Sequence, residues 1–541
     1  MDRIVIIGHG FVAYKFVTQV KKIAPKTEVL WFDEYSEEKY PLPLLSQLVQ
    51  DGEKIENWSR ARAKLKVGLD NFLFQRGEKP ILGKRIQVNV PRKELTILTN
   101  MGHTAYQFDQ IIIIPKVAVY PPTYVREEKV LIWPEQTCVQ YVIDHFDELD
   151  NLIVVGNDLA LVQVLLMARK KFIWIRENKT FFEPELEFYL EEHLKKKGVE
   201  LRKVDKIENW SDKLNTREAE RLVVFSGRIA CDERWSENFG FDLDQLQTSL
   251  AQGLKSHDVY LIPILQDREQ FLLQYNEEHL SNLARKLARS FFRNTGVVLG
   301  SESMELFLLQ TGGKEFAKAG LSLNEARQKG FQAEFVVCVG YDDIWQKDEY
   351  VAKMIVDRET RQILGFQMAG AGGSRWTDMA SVYINLRTKV DDILKDKFLA
   401  KGLKVNPLLR LARMAIHKLE PGILGITPDE LLESKRDGAD FFLLDVRSTQ
   451  EWEKGRLPGA YNIPLNQLKK RVMEIPRFTP LVIYSHSSGR AYEAAKLLAN
   501  MGAKQLYVID GGYRLWPYQK DEEERRAPLP FRGNQCSMCG I

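Results

Sequence analysis

Residues 3–13 read Arg-Ile-Val-Ile-Ile-Gly-His-Gly-Phe-Val-Ala, and this stretch decides the fold expected for the N-terminal part of the chain. Its first residues, Arg3 to Ile7, are a short β-branched run that is typical of a buried strand. Two glycines follow, and a helical stretch then continues to Ile23. A second strand is expected from Glu28 to Phe32. The sequence therefore predicts a βαβ unit that opens with Gly-x-Gly-x-x-Ala.

Each position of this motif has a physical role in holding a dinucleotide. Gly8 permits the tight turn, and Gly10 lets the backbone approach a pyrophosphate at the N-terminus of the helix. Ala13 is small enough for the helix to pack closely on the strand. Asp33 lies 25 residues after Gly8, where its carboxylate can accept hydrogen bonds from ribose hydroxyls. We therefore expect Gly8, Gly10, Ala13 and Asp33 to bind a cofactor.

A second unit of the same shape begins at Leu152. A strand is expected at Leu152–Val155, a turn and helix at Gly156–Arg169, and a further strand at Phe172–Ile175. Gly156 is the one glycine of the motif that remains, and we count it as a fifth cofactor-binding candidate. Asp158 stands at the position of the second glycine, where we expect its carboxylate to face a pyrophosphate and repel it.

Arg176 occupies the region in which an acidic residue normally meets the ribose. An arginine there could bind a 2′-phosphate instead. The simpler interpretation, which we favour, is a solvated arginine at the end of a strand.

Length and composition set broad limits on the function. A chain of 541 residues suggests three or four domains, and 44% hydrophobic residues exclude global disorder. The 77 Lys and Arg nearly balance the 74 Asp and Glu, which argues against a nucleic-acid binder. Five cysteines are too few for a disulfide scaffold. Because we find neither a targeting segment nor an apolar run of membrane-spanning length, we expect a cytoplasmic protein without membrane contact.

The succession of two βαβ units resembles the flavin- and nicotinamide-dependent pyridine nucleotide-disulfide oxidoreductase class. Tyr40–Ser46 looks like a segment of its rubredoxin-reductase-like and nitrite-reductase-like members. Gly320–Ala326, Lys353–Asp357 and Ile363–Gln367 are similar to the C-terminal dimerisation domain of the class. The resemblance implies FAD in the first unit, NAD(P)H in the second, and a homodimer.

The chain departs from this class at several positions. Ile114-Pro115-Lys116 stands where the class has an Ala-Thr-Gly turn, and Asp258–Ile262 leads into Pro263-Ile264 where it has Gly-Asp. The missing aspartate would hold the flavin ribityl chain, and Asp267 could replace it only if the loop shifted. No redox-active cysteine is present near residues 40–50. These departures weaken the expectation of FAD, and Asp158 weakens that of NAD(P)H further.

The C-terminal part of the chain starts a new block at Ile426–Leu431. Thr427 is a good helix N-cap, and Pro428 suits the first helical position. This block closely resembles a rhodanese (sulfurtransferase) domain through a series of segments: Phe441–Arg447, Gly455–Ala460, Asn462–Leu465, Leu481–Tyr484 and Asp510–Pro517. Together with the preceding domains it resembles the coenzyme A disulfide reductase–rhodanese fusions.

In active rhodaneses a cysteine begins the loop after the strand that here ends at Tyr484, and its persulfide lies in a cradle of backbone N–H groups. Here that position is a serine, which cannot carry a persulfide. A Ser–His pair is disfavoured because adjacent side chains in a tight loop usually point apart. We expect the loop to bind an anion through its backbone and its arginine. Its residues are Ser485, His486, Ser487, Ser488, Gly489 and Arg490.

The tail after residue 518 is charged and reads as a solvated linker, and it ends in a Cys-x-x-Cys of Cys536 and Cys539. Such a pair can form a reversible disulfide or supply two thiolates to a metal. Two ligands do not complete a tetrahedral site, so we expect no metal centre. The pair is either an incidental mobile tail or a replacement for the missing thiols, and we name both cysteines as catalytic candidates.

These observations predict an α/β protein with two interleaved Rossmann-like dinucleotide-binding domains, an α+β dimerisation domain and a C-terminal rhodanese-like α/β domain. The expected boundaries are 1–120 with 232–300 for FAD, 121–231 for NAD(P), 301–421 for dimerisation, 424–518 for the rhodanese-like domain, and 519–541 for the tail.

The leading functional hypothesis is a diverged FAD-dependent, NAD(P)H-linked oxidoreductase of thiol, sulfane-sulfur or electron-transfer metabolism. It would act on a small thiol or sulfur compound or on a redox protein partner. The alternative is a scaffold or a subunit of a redox complex that keeps the folds without flavin or sulfurtransferase activity.

Overall fold

The structure is a computed structural model, and it describes most of the two βαβ units and nearly all of the C-terminal half of the chain. The described residues are 3–8, 10–34, 80–83, 85–89, 91–99, 101–114, 117–120, 131–133, 151–167, 170–213, 221–231, 259–261, 306–311, 313–341, 348–395 and 406–522, with a few between 122 and 145 and between 284 and 292. The chain divides into two compact units. The first comprises Met1–Lys179, His193–Ser303 and Leu309–Gly312, and the second Thr180–Glu192, Met304–Leu308 and Gly313–Ile541.

The elements up to residue 261 are mainly strands. The strands are β1 Arg3–Gly8, β2 Glu28–Glu34, β3 Ile81–Gly83, β4 Arg85–Asn89, β5 Glu94–Thr99, β6 Gly102–Gln107, β7 Gln110–Ile114, β8 Val117–Tyr120, β9 Leu131–Trp133, β10 Leu152–Val155, β11 Phe172–Glu177, β12 Val199–Val204, β13 Val223–Ser226, β14 Arg228–Cys231 and β15 Val259–Leu261. The helices are α1 Gly10–Ile23, α2 Leu159–Met167 and α3 Pro184–Lys196, with a 3₁₀ segment at Ile207–Lys213.

The first of two parallel sheets in this part has the strand order β15-β7-β1-β2-β3. Its apolar strands are buried because helices and a second sheet cover such sheets on both faces. Val5, Ile7 and Phe32 form a core with residues of the antiparallel β4-β5-β6 sheet. The predicted βαβ unit is confirmed, and its helix ends at Ile23 as expected.

The second parallel sheet has the order β12-β11-β10-β13-β9. Its core contains Ile153, Val155, Ile173 and Ile175, the inward-facing residues of β10 and β11. A separate antiparallel pair joins β8 and β14. Two Rossmann-like units are therefore present, as the repeated pattern predicted.

The elements after residue 305 form two further sheets. The strands are β16 Leu306–Gln310, β17 Glu315–Gly320, β18 Ala333–Tyr341, β19 Glu349–Asp357, β20 Ile363–Gly370, β21 Ile423–Ile426, β22 Phe442–Asp445, β23 Gly455–Arg456, β24 Tyr461–Asn462, β25 Leu481–Tyr484, β26 Leu506–Ile509 and β27 Asp521–Glu522. The helices are α4 Leu323–Gln328, α5 Gly373–Asn385, α6 Val390–Ile393, α7 Pro407–Lys418, α8 Pro428–Arg436, α9 Thr449–Glu453, α10 Leu468–Arg471 and α11 Ser488–Asn500, with 3₁₀ turns at Leu465–Gln467 and Val472–Glu474.

The sheet β16-β17-β20-β19-β18 is antiparallel along β17, β20, β19 and β18. The parallel sheet β21-β26-β25-β22-β24 follows it. Thr427 caps α8 in a capping box with Glu430, and Pro428 is the first helical residue, as predicted. One apolar core runs through both sheets and includes Met354, Leu411 and Ile483. The two sheets of the second unit therefore share one hydrophobic core.

Two buried lysines face each other across Phe335 within the second unit. Lys353 Nζ lies 2.9 Å from Glu183 Oε2 and 2.7 Å from Glu185 Oε2. The ammonium groups of Lys353 and Lys418 lie 3.8 and 4.3 Å, respectively, from the centre of the Phe335 ring. Each buried cation therefore has a carboxylate partner or an aromatic face close to it.

Lys418 joins the β18–β20 sheet to the last sheet of the chain. Its Nζ donates to the Phe335 carbonyl at 2.7 Å and lies 2.7 Å from Asp510 Oδ2. The Tyr492 hydroxyl donates to the other oxygen of Asp510 at 2.8 Å. Both Lys418 and Asp510 are buried.

No helix among the described residues is long and apolar enough to cross a membrane.

We expect Lys418→Met to destabilise the protein by about 3–5 kcal/mol, because it leaves the carboxylate of Asp510 buried without its cation. Adding Asp510→Asn should recover part of the loss. Lys395→Met is the control, since Lys395 pairs with Asp392 at an exposed site and should change the free energy of unfolding little. Urea unfolding measures all variants, and wild-type stability in Lys418→Met would contradict this account.

Candidate functional site

The first βαβ unit places two polar features at the same edge of its sheet. β1 and β2 pair in parallel with Ile7 opposite Phe32. The next residues, Gly8 and Asp33, therefore lie side by side at the carboxyl edge of the sheet. The Asp33 side chain is buried to 6% exposure. Trp31 Nε1 donates to the Gly8 carbonyl at 3.0 Å, which fixes the end of β1.

Close packing explains why the turn requires small residues. A Cβ at Gly8 would stand 2.7 Å from Ile114 Cβ and 3.2 Å from Ala13 Cβ, closer than real side chains approach. Ala13 itself is fully buried. α1 begins at Gly10 and has no acidic residue in its first turn. The first N–H groups of the helix can therefore face an anion without opposition from a nearby carboxylate.

This donor set fits a dinucleotide. Backbone N–H groups at the start of α1 suit the pyrophosphate, and Asp33 suits the ribose hydroxyls. The segment Tyr40–Ser46, which resembles the flavoprotein class, lies outside the described residues. The positions that depart from the class or bear on those departures also lie there and stay predictions: Pro115, Lys116, Asp258, Pro263, Ile264 and Asp267.

The second turn differs from the first in what its side chains do. Asp158, which we expected to face a pyrophosphate, is 9% exposed and accepts a hydrogen bond from the Ala160 amide at the start of α2 at 2.7 Å, and its effect on a pyrophosphate stays a prediction. The physical reason for this hydrogen bond is that the N-terminal amides of α2 need an acceptor, and a carboxylate at the N-cap supplies one. Burial raises the pKa of Asp158 to about 7. Gly156 follows β10 with a φ of 129°.

Arg176 was expected to be solvated, and this was wrong. Its side chain is 1% exposed, lies 5.1 Å from the centre of the Trp174 ring, and donates to the Lys179 carbonyl. The acidic residue that the sequence analysis missed is its neighbour Glu177, 21 residues after Gly156. The spacing of about 20 residues to a ribose-binding acid could have identified it.

The loop after β25 uses its first serine internally. Ser485 is fully buried, and its hydroxyl donates to the Ser487 carbonyl. The Ser485 carbonyl accepts from the Tyr513 amide at 2.8 Å, which ties the loop to the turn after β26. The hydroxyl is therefore not bonded to His486, as we expected for adjacent side chains. Burial lowers the pKa of His486, so its imidazole is neutral at pH 7.

The next two serines bind the loop to neighbouring elements of the second unit. Ser487 Oγ accepts from Arg410 Nη2 on α7 at 3.1 Å. Ser488 Oγ donates to the Val337 carbonyl on β18 at 3.1 Å and accepts from the Gly511 amide at 2.7 Å. Because Val337 lies 151 residues earlier in the chain, no local sequence pattern indicated this contact.

Arg490 is held by a carboxylate of α9. Its Nη1 and Nη2 donate to the two oxygens of Glu451 at 2.8 and 2.6 Å, and this contact lowers the pKa of Glu451 to about 2. The guanidinium is thus neutralised at neutral pH. Anion binding by residues 485–490 stays a prediction, and the structure adds that Glu451 competes for the arginine.

The thiols fall into two groups. Cys138 and Cys338 are buried free thiols, and burial raises the pKa of both, that of Cys338 to about 11. Thiols with raised pKa values are poor nucleophiles near neutral pH. Cys536 and Cys539 lie outside the described residues, so their catalytic assignment stays a prediction.

We expect Ser485→Cys alone to give weak sulfur transfer from thiosulfate to cyanide, because Glu451 still neutralises Arg490. Adding Glu451→Gln frees the guanidinium for the anionic donor and should raise the rate at least tenfold, about 1.4 kcal/mol of transition-state stabilisation. Thiocyanate formation is the measurement.

Glu474→Gln provides the matched control for this pair of variants. Glu474 also forms an ion pair with an arginine, Arg471, in the same domain, but outside the loop of residues 485–490. Equal rates for Ser485→Cys with and without Glu451→Gln would show that Arg490 is not limiting.

Two family models match parts of the chain. The pyridine nucleotide-disulphide oxidoreductase dimerisation domain matches residues 313–400, and the rhodanese-like domain matches residues 427–518. A sulfurtransferase of Allochromatium vinosum is 31% identical over 91 residues, which are 17% of this chain and 85% of that protein. YqhL of Bacillus subtilis is 42% identical over 74 residues, and the chain spans 59% of that relative's length.

Two solved structures share the fold over nearly the whole chain. Reduced CoADR-RHD of Bacillus anthracis has a TM-score of 0.76 at 17% identity, with 95% of this chain and 97% of that chain covered. An NAD-dependent persulfide reductase from A. fulgidus has a TM-score of 0.74 at 18% identity, with 95% and 100% covered. At these identities the likeness shows the fold alone.

Proposed function

Since this chain belongs to the rhodanese-like family through residues 427–518 and carries a pyridine nucleotide-disulphide oxidoreductase dimerisation domain, we propose that it is a flavin-dependent oxidoreductase of thiol or sulfane-sulfur metabolism. The observation that carries this proposal is the first turn. Gly8, Gly10 and Ala13 are small, so the backbone N–H groups at the start of α1 are available to an anionic ligand. The solved structures with this fold, named CoADR-RHD and persulfide reductase, support the substrate class.

The residues of the first unit have distinct tasks in this proposal. The amides at the start of α1 bind the pyrophosphate of FAD, and Asp33 accepts from its ribose. Ala13 lets the helix pack against Gly8 closely enough to place these amides. The flavin, when bound, supplies two-electron chemistry toward a thiol, disulfide or persulfide. Cys536 and Cys539 are the thiols that we propose either to receive electrons from the flavin or to carry sulfane sulfur.

The competing function is a scaffold or a subunit of a redox complex. The observations that favour it are Asp158, which caps its own helix, and Ser485, whose hydroxyl is bonded within its loop. Asp158 stands where the class has a glycine that lets a dinucleotide approach, and Ser485 stands where active rhodaneses have their cysteine. The two proposals differ most simply in whether the protein binds flavin.

The full-length protein should purify with the visible absorption of an oxidised flavin. Asp33→Ala should weaken FAD binding about 10- to 100-fold, because a charge-assisted hydrogen bond contributes about 1.5–3 kcal/mol. Asp205→Asn, at an exposed position beyond β12, should bind FAD like the wild type. Fluorescence titration of apoprotein with FAD measures the affinities. A colourless protein that takes up no added flavin would favour the scaffold.

We also propose that the chain forms a homodimer through its dimerisation domain. α5 presents Met379, Val382 and Leu386 at helical spacing, and they are 36%, 53% and 72% exposed. Apolar side chains in such a stripe are typical of a surface that a partner covers. A second copy of the chain is the occupant that the family match supports.

The double variant Val382→Glu and Leu386→Glu should shift the protein from dimer to monomer, because it buries two charges in the interface without partners. Met473→Glu is the control, since Met473 is 75% exposed and lies outside the dimerisation domain. Sedimentation velocity distinguishes the two states. A dimer that both variants leave intact would place the interface elsewhere.

A further inference from the structure

We propose that the chain's own side chains close the second βαβ unit to dinucleotides, so that NAD(P)H bound at this turn is not the reductant of the protein. The argument compares two turns of the same type in one chain. In both, a tryptophan of the second strand donates to the carbonyl of the first glycine: Trp31 to Gly8 at 3.0 Å, and Trp174 to Gly156 at 2.9 Å. The frames of the two turns therefore correspond, and the difference lies in their side chains.

The N-terminus of α2 already has a hydrogen-bond acceptor from the chain, the side chain of Asp158. Asp158 Oδ1 accepts from the Ala160 amide, one of the first N–H groups of the helix. These N–H groups are the ones that a pyrophosphate uses in this fold. A dinucleotide would have to displace the carboxylate and would then lie beside it, which costs hydrogen bonding and adds repulsion. In the first unit, the first turn of α1 has no acidic residue.

A second set of hydrogen bonds joins the turn after β10 to the carboxyl end of β11. Asn157 Nδ2 donates to Glu177 Oε2 at 3.2 Å, and the Glu177 amide donates to Asn157 Oδ1 at 3.2 Å. Glu177 Oε1 accepts from the Ile207 amide at 3.2 Å. Glu177 lies one position beyond Arg176, the residue that corresponds to Asp33 in the strand pairing, and both of its carboxylate oxygens are engaged within the protein. The turn and the end of β11 are thus fastened to each other.

The neighbouring arginine cannot substitute for this acid. Arg176 is 1% exposed and lies over the Trp174 ring, so its guanidinium faces the interior. A 2′-phosphate would need that guanidinium at the strand end. A Cβ at Gly156 would meet Ser226 Cβ at 2.4 Å, so the glycine of this turn serves packing against β13. The Ala160 amide, the Glu177 carboxylate and the Arg176 guanidinium therefore each have a partner within the protein.

This inference narrows the proposed function, because it removes the dinucleotide at the second unit as the electron source of the flavin. It leaves a thiol, a persulfide or a redox protein as the class of reductant. It does not depend on flavin being bound, since it concerns a different turn.

Isothermal titration calorimetry of the full-length protein with NADH and with NADPH tests the inference, in the presence of excess FAD so that the first turn is not available to them. The wild type should give no saturable heat. Asp158→Gly restores the second glycine and should bind NADH at least tenfold more tightly than the wild type. Asp212→Gly, an exposed aspartate of the 3₁₀ segment, is the matched control and should behave like the wild type.

Saturable binding of one NADH or NADPH per wild-type chain would overturn the inference. Absence of binding in Asp158→Gly, with its circular dichroism unchanged, would also overturn the role given to Asp158. The proposed function fails separately, by a protein that takes up no flavin. The two failures are distinguishable because visible absorption reports the uptake of flavin, whereas the calorimetric titration in excess FAD reports the binding of the dinucleotide.

Discussion

The first N–H groups of a helix have no partner inside that helix, and the way they are satisfied after β1 and after β10 determines what each βαβ unit can do. After β1 the chain provides Gly8, Gly10 and Ala13, and the first turn of α1 has no acidic side chain that could accept from its backbone N–H groups. After β10 it provides Asp158, which accepts from Ala160 and completes the helix start from within. We therefore propose that the first turn binds an anionic ligand, whereas the polar side chains of the second turn are engaged within the protein.

The rhodanese-like domain repeats this exchange of chemistry for structure. The hydroxyl of Ser485 forms a hydrogen bond within the loop, that of Ser487 with α7, and that of Ser488 with β18. Glu451 holds Arg490, the cation of the loop. These bonds stabilise the packing of the loop on the dimerisation sheet, and a thiol at 485 would lose the short hydroxyl bond to Ser487. The chemistry that we propose thus concentrates in the first unit and in the C-terminal thiols.

The local elements were predictable because their signals are local. The Gly8 turn, the strand at Leu152–Val155 and the Thr427 cap each depend on a few adjacent residues, and all three are confirmed. The contacts that fill the sites were not predictable in the same way. Asn157 with Glu177 and Ser488 with Val337 join residues 20 and 151 positions apart, so only the folded chain brings them together. The sequence indicated that Asp158 stands at the start of α2, but not that its carboxylate accepts from the Ala160 amide.

Native mass spectrometry of the full-length protein after incubation with equal amounts of FAD and NADH tests the central claim most directly. It counts both ligands on the same molecules and so compares the two turns in a single spectrum. The account predicts one FAD per chain and no NADH. Chains that carry NADH together with FAD, or NADH without FAD, would contradict it.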